Sequence, residues 1–286
     1  MLDQHEAPAP TAPAALAAPH IDRLWAELTG RCQLACVHCY ADSGPTKAHG
    51  RMTAADWMRV IDEANALGAS LVQFIGGEPT MHPQFAKILR HAIEAGVGVE
   101  VYSNLVHITD QVWELLRSPN VSLAFSYYSA TPEQHNAVTA RPSHAATRRN
   151  VIKAVGYGIP IRAGVIDTGT GQVPGAEADL HAMGVTRIAV DRIRAIGRGG
   201  GNDPNELCGR CGKGVAAVSP DGDVWPCIFS RWMGVGNVRD APLAEILTGR
   251  AMASAVASIP APRAGRCDPE SECSPGHPPS SCQPRS

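Results

Sequence analysis

Between residues 24 and 192, short apolar runs alternate with amphipathic stretches, repeating every 25–30 residues or so (roughly one strand–helix unit). This repeat constrains the fold more than any other feature of the chain. The runs Leu24–Leu28, Leu71–Ile75, Val97–Tyr102, Val121–Ser126, Ile161–Ile166 and Arg187–Asp191 read as strands. A helix is expected to begin at Thr53, where Thr-Ala-Ala-Asp resembles a capping box, and to end at Gly68. Others are expected over Pro83–Ala95, Asp110–Arg117, Ala145–Tyr157 and Pro174–Met183, with Gly96, Gly158 and Gly184 as stop signals. Such alternation is the signature of parallel strands joined by crossover helices. Six units are too few for a closed eight-fold barrel. The expected fold is therefore α/β, a partial (β/α)6 barrel of parallel strands over residues 21–200.

The pattern changes beyond Asp191. Residues 196–205 read IGRGGGNDPN, a glycine-rich connector, and residues 201–286 form a small cysteine-rich region with one short helix expected near Pro242–Thr248. Residues 1–20, rich in Pro and Ala, read as a flexible tail. They lack the basic start and continuous apolar stretch of a secretory signal, so a cytoplasmic location is expected. A net charge of −2 offers no basic patch for nucleic acid, and no apolar run is long enough to span a membrane. The nine cysteines of the chain, kept reduced, would favour metal binding or catalysis over disulfides.

Three of them, Cys32, Cys36 and Cys39, form C-x3-C-x2-C directly after the first strand. Three thiolates on one loop cannot close a tetrahedral zinc site alone, but they can hold three corners of a four-iron cluster and leave one iron open to a chelating ligand. The loop follows the C-terminal end of a strand, where barrel folds place active sites. The competing reading is a zinc knuckle with His38 or His49 as distant fourth ligand. After the second strand comes Gly76-Gly77-Glu78-Pro79, whose glycines permit close approach of backbone to a ligand. Alone, it is equally a tight strand–helix loop.

These residues resemble the radical S-adenosylmethionine superfamily. The resemblance implies a [4Fe-4S] cluster on Cys32, Cys36 and Cys39, with the amino and carboxylate groups of S-adenosylmethionine on the open iron. His38 stands where an aromatic is usual, and Tyr40 follows the third cysteine. The resemblance further implies cofactor contacts from Gly76, Gly77, Glu78 and Pro79, from Ser103 and Asn104 after the third strand, and from Ser126 at the end of the fourth. His135-Asn136…Arg141…Ser143-His144 resembles a stretch of members that carry extra clusters. Arg141 and Arg192, with Arg194 beside it, are candidates to pair with a carboxylate; the competing reading for each is a solvated loop arginine.

The remaining cysteines are Cys208, Cys211, Cys227, Cys267, Cys273 and Cys282. Pro220-Asp221-Gly222-Asp223 reads as a turn between two short strands, a hairpin that brings Cys211 and Cys227 together. A structural zinc site is one reading of the six. The spacing Cys211…Gly222…Cys227 and the following Gly236-Asn237-Val238 resemble the SPASM or twitch extension of the same superfamily. That resemblance implies at least one auxiliary [4Fe-4S] cluster, expected on Cys227, Cys267, Cys273 and either Cys208 or Cys211. Six thiolates cannot fully ligate two such clusters. A leftover cysteine could donate a hydrogen atom to a substrate radical.

The implied activity is reductive cleavage of S-adenosylmethionine to a 5′-deoxyadenosyl radical, which takes hydrogen from a substrate C–H bond. The substrate expected is a ribosomally made peptide, crosslinked or epimerised in natural-product biosynthesis. The alternatives are an epimerase or dehydrogenase of an aminoglycoside or other small polar metabolite, and a non-enzymatic iron–sulfur or zinc protein. Expected partners are an electron donor (a reductase, flavodoxin or ferredoxin) and a separate peptide-recognition protein.

Overall fold

The computed structural model describes residues 20–260. The strands are β1 (Arg23–Glu27), β2 (Leu71–Ile75), β3 (Gly98–Tyr102), β4 (Val121–Tyr127), β5 (Ile161–Asp167), β6 (Arg187–Arg192), β7 (Val215–Val218), β8 (Asp223–Trp225) and β9 (Gly236–Asn237). The helices are α1 (Ala54–Ala66), α2 (Phe85–Glu94), α3 (Asp110–Leu116), α4 (Pro132–Thr139), α5 (His144–Gly156), α6 (Val173–Ala182), α7 (Leu243–Thr248) and α8 (Arg250–Ser258). The six expected strands and five expected barrel helices are present, with ends moved by no more than two residues. Helices α4 and α8 were not anticipated.

Strands β1 to β6 are all parallel, in the order 6-5-4-3-2-1, and β6 does not pair back with β1. The sheet is thus an open arc of six strands, a partial barrel. The far edge of β1 is taken by β7, which runs parallel to it and continues through the β7–β8 hairpin to β9. The cysteine-rich region is therefore built onto the barrel sheet, one nine-stranded sheet in all.

Local rules explain the helices. Thr53 accepts from the Asp56 amide while the Asp56 carboxylate accepts from the Thr53 amide, so the capping box is made on both sides. Trp57, Val60, Ile61 and Ala64 then fall on one fully buried face of α1. Alternation along β1 sends Leu24 and Ala26 into the core beneath the helices and Trp25 into a second apolar cluster with Ile75, Ile196, Cys211, Trp225 and Cys227. The barrel's concave face carries charge as well. Arg162 of β5 grips Glu100 of β3 through two bonds of 2.7 Å, both side chains being buried, and Gln73 of β2 donates to the same carboxylate.

Candidate functional site

The chain leaving β1 forms a loop whose turns are fixed by its own backbone. Cys32 donates to the Gly44 carbonyl, and the Cys39 amide donates to the Cys36 carbonyl. Ala35 and Val37 donate to the carbonyls of Thr139 and Val138, so the C-terminal end of α4 supports the loop from below. Amides point at two of the sulfurs: Leu34 N–H to Cys32 Sγ at 3.4 Å and Ser43 N–H to Cys39 Sγ at 3.4 Å. The Asn104 side-chain amide reaches Cys32 Sγ at 3.6 Å. N–H donors aimed at sulfur favour thiolate over thiol and are the outer contacts that tune iron–sulfur clusters.

Burial works against ionisation. It pushes the Cys32 thiol up to about 12, with the Glu78 carboxylate adding to the effect. Burial and Cys39 push Cys36 up to about 11, opposed by Tyr128 and Arg198. Buried thiols of this kind become thiolates only with a compensating positive centre, which an iron cluster supplies. The donor set thus fits the group that the sequence implies.

The Gly76-Gly77 turn lies directly against this loop. Gly77 donates to the Thr29 carbonyl at 2.6 Å and Glu78 to the Arg31 carbonyl at 2.9 Å. Gly76 has φ of 133°, and a Cβ on Gly77 would collide with the Arg31 carbonyl, so neither position accepts a side chain. Glu78 is fully buried behind the turn. Its carboxylate accepts from Thr80 Oγ at 2.7 Å, Ser103 Oγ at 2.9 Å and the Asn104 amide at 2.8 Å. It therefore ties the end of β3 to the end of β2. Burial raises the Glu78 carboxyl above its ordinary value, and these donors pull it back.

A cavity opens in front of the cysteine loop. Cys32, Cys36 and Cys39 line it together with Tyr40, Gly76, Gly77, Ser103, Asn104, Ser126 and Arg192. These ten residues thus converge on one space, and His38, His135 and Arg194, also singled out from sequence, line it with them. Three other expected cofactor contacts do not. Glu78 sits behind the wall and is bonded to Ser103 and Asn104, and Pro79 is buried beside it. Arg141 is exposed and bonds its neighbour's Ala140 carbonyl, and it pairs with no carboxylate among the described residues. In the same stretch, Asn136 Oδ1 accepts from the Ser143 and His144 amides and so caps α5.

Sequence reasoning missed several wall residues. Tyr128 meets His38 edge-on and Phe229 meets Tyr40 edge-on, while Gln33, outside the lining, bonds Asn104. Phe229 follows Cys227 by two residues, so the cysteine-rich region contributes to the cavity wall. Charges at the rim are internally matched. Arg192 pairs with Glu206 at 2.6 Å, and Arg194 pairs with Asp191 at 3.1 Å and lies over the Phe229 ring.

The second set of thiols behaves as the hairpin reading expected. Gly212 donates to the Pro226 carbonyl, which brings the chain before β7 beside the chain after β8. Cys211 is buried between Cys208 and Cys227, and its hydrogen bonds to those two thiols push its own ionisation far up. Phe229 N–H donates to Cys227 Sγ at 3.5 Å. No disulfide forms among the six described cysteines. Among the described residues no group of three or more His, Cys, Asp or Glu side chains is arranged around a single metal ion. Cys267, Cys273 and Cys282 lie outside the described residues.

Comparison with known proteins agrees with this geometry. Residues 26–179 match the radical SAM superfamily, and residues 199–275 match the SPASM iron–sulfur cluster-binding domain. Mycofactocin maturase MftC of Mycobacterium ulcerans is 33% identical over 177 residues, 60% of this chain and 47% of that protein. PqqA peptide cyclase of Ruegeria pomeroyi is 32% identical over 165 residues, 55% of this chain and 42% of that protein. The chain spans about half the length of these curated relatives. The structure of Streptococcus suis SuiB bound to S-adenosylmethionine superposes with a TM-score of 0.73 at 16% identity, covering 84% of this chain and 68% of SuiB. SuiB bound to its precursor peptide SuiA gives 0.72.

Proposed function

Because the chain belongs to the radical SAM superfamily, with the [4Fe-4S] cluster, S-adenosylmethionine and auxiliary cluster that its two domains imply, we propose that it modifies a ribosomally made peptide by hydrogen abstraction at the cavity described above. The observation that carries this reading is the convergence of Cys32, Cys36 and Cys39, sulfur-directed amides and the Gly76-Gly77 turn on one cavity. When bound, cluster and cofactor supply a 5′-deoxyadenosyl radical able to take hydrogen from a C–H bond.

The chain's own residues position and exclude. Cys32, Cys36 and Cys39 would hold three irons. The backbone at Gly76 and Gly77, with Ser103, Asn104 and Ser126, would contact the cofactor's polar groups. Tyr40, Tyr102, Tyr128 and Phe229 wall the cavity with rings and keep water from a reactive centre. Cys208, Cys211 and Cys227 would contribute to the auxiliary cluster. An external one-electron donor, a reductase, flavodoxin or ferredoxin, would supply reducing equivalents in the cytoplasm.

Two observations favour a peptide over a polycationic sugar. Among relatives, the names PqqA peptide cyclase and SuiB with its precursor peptide are those of peptide-binding proteins. The only acidic side chain lining the cavity among the described residues, Asp191, is already held by Arg194, so the site offers a cationic substrate no open carboxylate. Whether the modification is a crosslink or an epimerisation follows from the product's mass and stereochemistry. The test is anaerobic reconstitution with iron, sulfide, dithionite and S-adenosylmethionine. Formation of 5′-deoxyadenosine supports the reading; bound zinc with no 5′-deoxyadenosine refutes it and returns the non-enzymatic alternative.

A further inference from the structure

The glycine-rich run after β6 reads in sequence as a connector, but in the structure it is pressed against the cysteine loop. The Arg198 amide donates to the Cys39 carbonyl at 3.0 Å. Gly197 has φ of 59°, and a Cβ there would run into the carbonyls of Cys39 and Tyr40, so the approach requires glycine. From this position the Arg198 guanidinium spreads over the loop. Nε donates to the Cys36 carbonyl at 3.0 Å, Nη2 to the Ser43 carbonyl at 2.6 Å, and Nη1 to Asp42 Oδ1 at 2.8 Å. The three nitrogens therefore bind the loop at three points that bracket Cys39. A rigid planar fork can do this; an ammonium on a flexible stem cannot. Lys47 holds the other oxygen of Asp42 at 2.6 Å, so Arg198, Asp42 and Lys47 together keep a net positive charge beside the cysteines.

We propose that Arg198 is a positioning residue for the iron–sulfur cluster: it clasps the cysteine loop through Cys36, Asp42 and Ser43, and its charge raises the cluster's reduction potential. The proposal rests on the reading of Cys32, Cys36 and Cys39 as cluster ligands. One-electron reduction adds one negative charge to the cluster. A fixed cation nearby stabilises that state more than the oxidised one, and local charge and hydrogen bonding are known levers on such potentials. The clasp also has a place in the chain's layout. Arg198 is ten residues before Cys208, so the segment that leads into the second cysteine group is the one that grips the first.

The experiment uses the full chain and two substitutions, Arg198→Met and Arg198→Lys. The first readout is the midpoint potential of the cluster whose EPR signal changes on adding S-adenosylmethionine. The second, on cluster-free protein, is amide hydrogen exchange over residues 36–43, with β2 to β4 as the control for global folding. Arg198→Met is expected to lower the potential and to speed exchange in the loop by at least about tenfold, the factor for losing even one of its three charge-assisted hydrogen bonds. Arg198→Lys is expected to keep the potential near the wild-type value while restoring the loop's protection only in part. It also carries the test if the Met variant does not fold. An unchanged potential or unchanged loop exchange in Arg198→Met would overturn the proposal. Full restoration of both by Lys would overturn the forked geometry. Wild-type protein with no S-adenosylmethionine-responsive signal would instead overturn the ligand reading, which is a separate failure.

Discussion

The two described groups of cysteines use the same side chain in opposite settings. Cys32, Cys36 and Cys39 sit on a loop lining a cavity, a backbone turn separating Cys36 from Cys39, with amides directed at two of their sulfurs. Cys208, Cys211 and Cys227 come from two sides of a hairpin and meet thiol to thiol, Cys211 and Cys227 being buried in the apolar cluster around Trp25 and Trp225. The first group faces space for a ligand; the second faces packed side chains. Thiolate sets that leave a coordination position open belong at a reaction site, and sets enclosed by core suit storage or relay of electrons.

The sharpest test of that contrast replaces Cys32, Cys36 and Cys39 by Ala together. Formation of 5′-deoxyadenosine should vanish, and bound iron should fall by about four atoms, one cluster's worth. Persisting cleavage would erase the difference between the groups. Replacing Cys208 and Cys211 by Ala should remove a similar amount of iron yet leave cleavage of S-adenosylmethionine measurable. Loss of cleavage there would mean that the two regions act as one centre.

A third test probes what joins them. Glu27, at the end of β1, is buried and paired with Arg231 from the loop after Cys227, and Arg231 also covers the Trp225 ring. Arg231→Met should lower stability by about 3 kcal/mol at neutral pH, because it leaves a buried carboxylate unpaired. The sign with pH is defined. Burial raises the Glu27 carboxyl above its ordinary value of 4.5, and Arg231 opposes that rise. Stability from a raised carboxyl is present below the unfolded value and is lost as pH climbs through the folded one. Removing Arg231 raises the carboxyl further, so the gap in Tm between variant and wild type should narrow toward about pH 4.5 and be full near pH 8.

Smaller effects follow within the first region. Glu78→Gln keeps the shape but cannot accept at both oxygens from Ser103, Thr80 and Asn104, and should cost about 1–3 kcal/mol in denaturant unfolding with weaker cofactor binding. Thr53→Ala lies outside both regions and should cost about 1 kcal/mol through the lost cap while leaving iron content and cleavage unchanged. A change in iron content there would show that the contrast between regions is not local.

Much of this was legible in the chain. The capping box at Thr53 needs only four residues, and the strands announce themselves by apolar runs, because both depend on near neighbours. Helix α4 was not legible. It buries only His135 and Thr139, so it lacks an apolar stripe, and part of what it does is to receive the amides of the cysteine loop at its end. The role of Asn136 as a cap for α5 was hidden for the same reason. Arg141 and Arg198 show the limit from both sides. Both are arginines in loop-like sequence, and only the fold shows that the former points to solvent and the latter grips Cys36, Asp42 and Ser43. A lone arginine set among glycines was a usable signal, since glycine marks close backbone approach.

By itself, the sequence determined the unit of construction and the chemistry available to it: strand–helix repeats from hydrophobic period and turn residues, and two sets of soft ligands from cysteine spacing. These are properties of local chain geometry and of side-chain type. Only the tertiary structure decided that β7 would lie parallel to β1 and carry the second cysteine set onto the barrel sheet, that Phe229 would help wall the cavity of the first, and that the glycine connector would clasp the cysteine loop. Those outcomes join residues roughly 150 to 200 positions apart, where pairing is settled by which faces can be buried together across the whole fold and leaves no periodic trace in the chain.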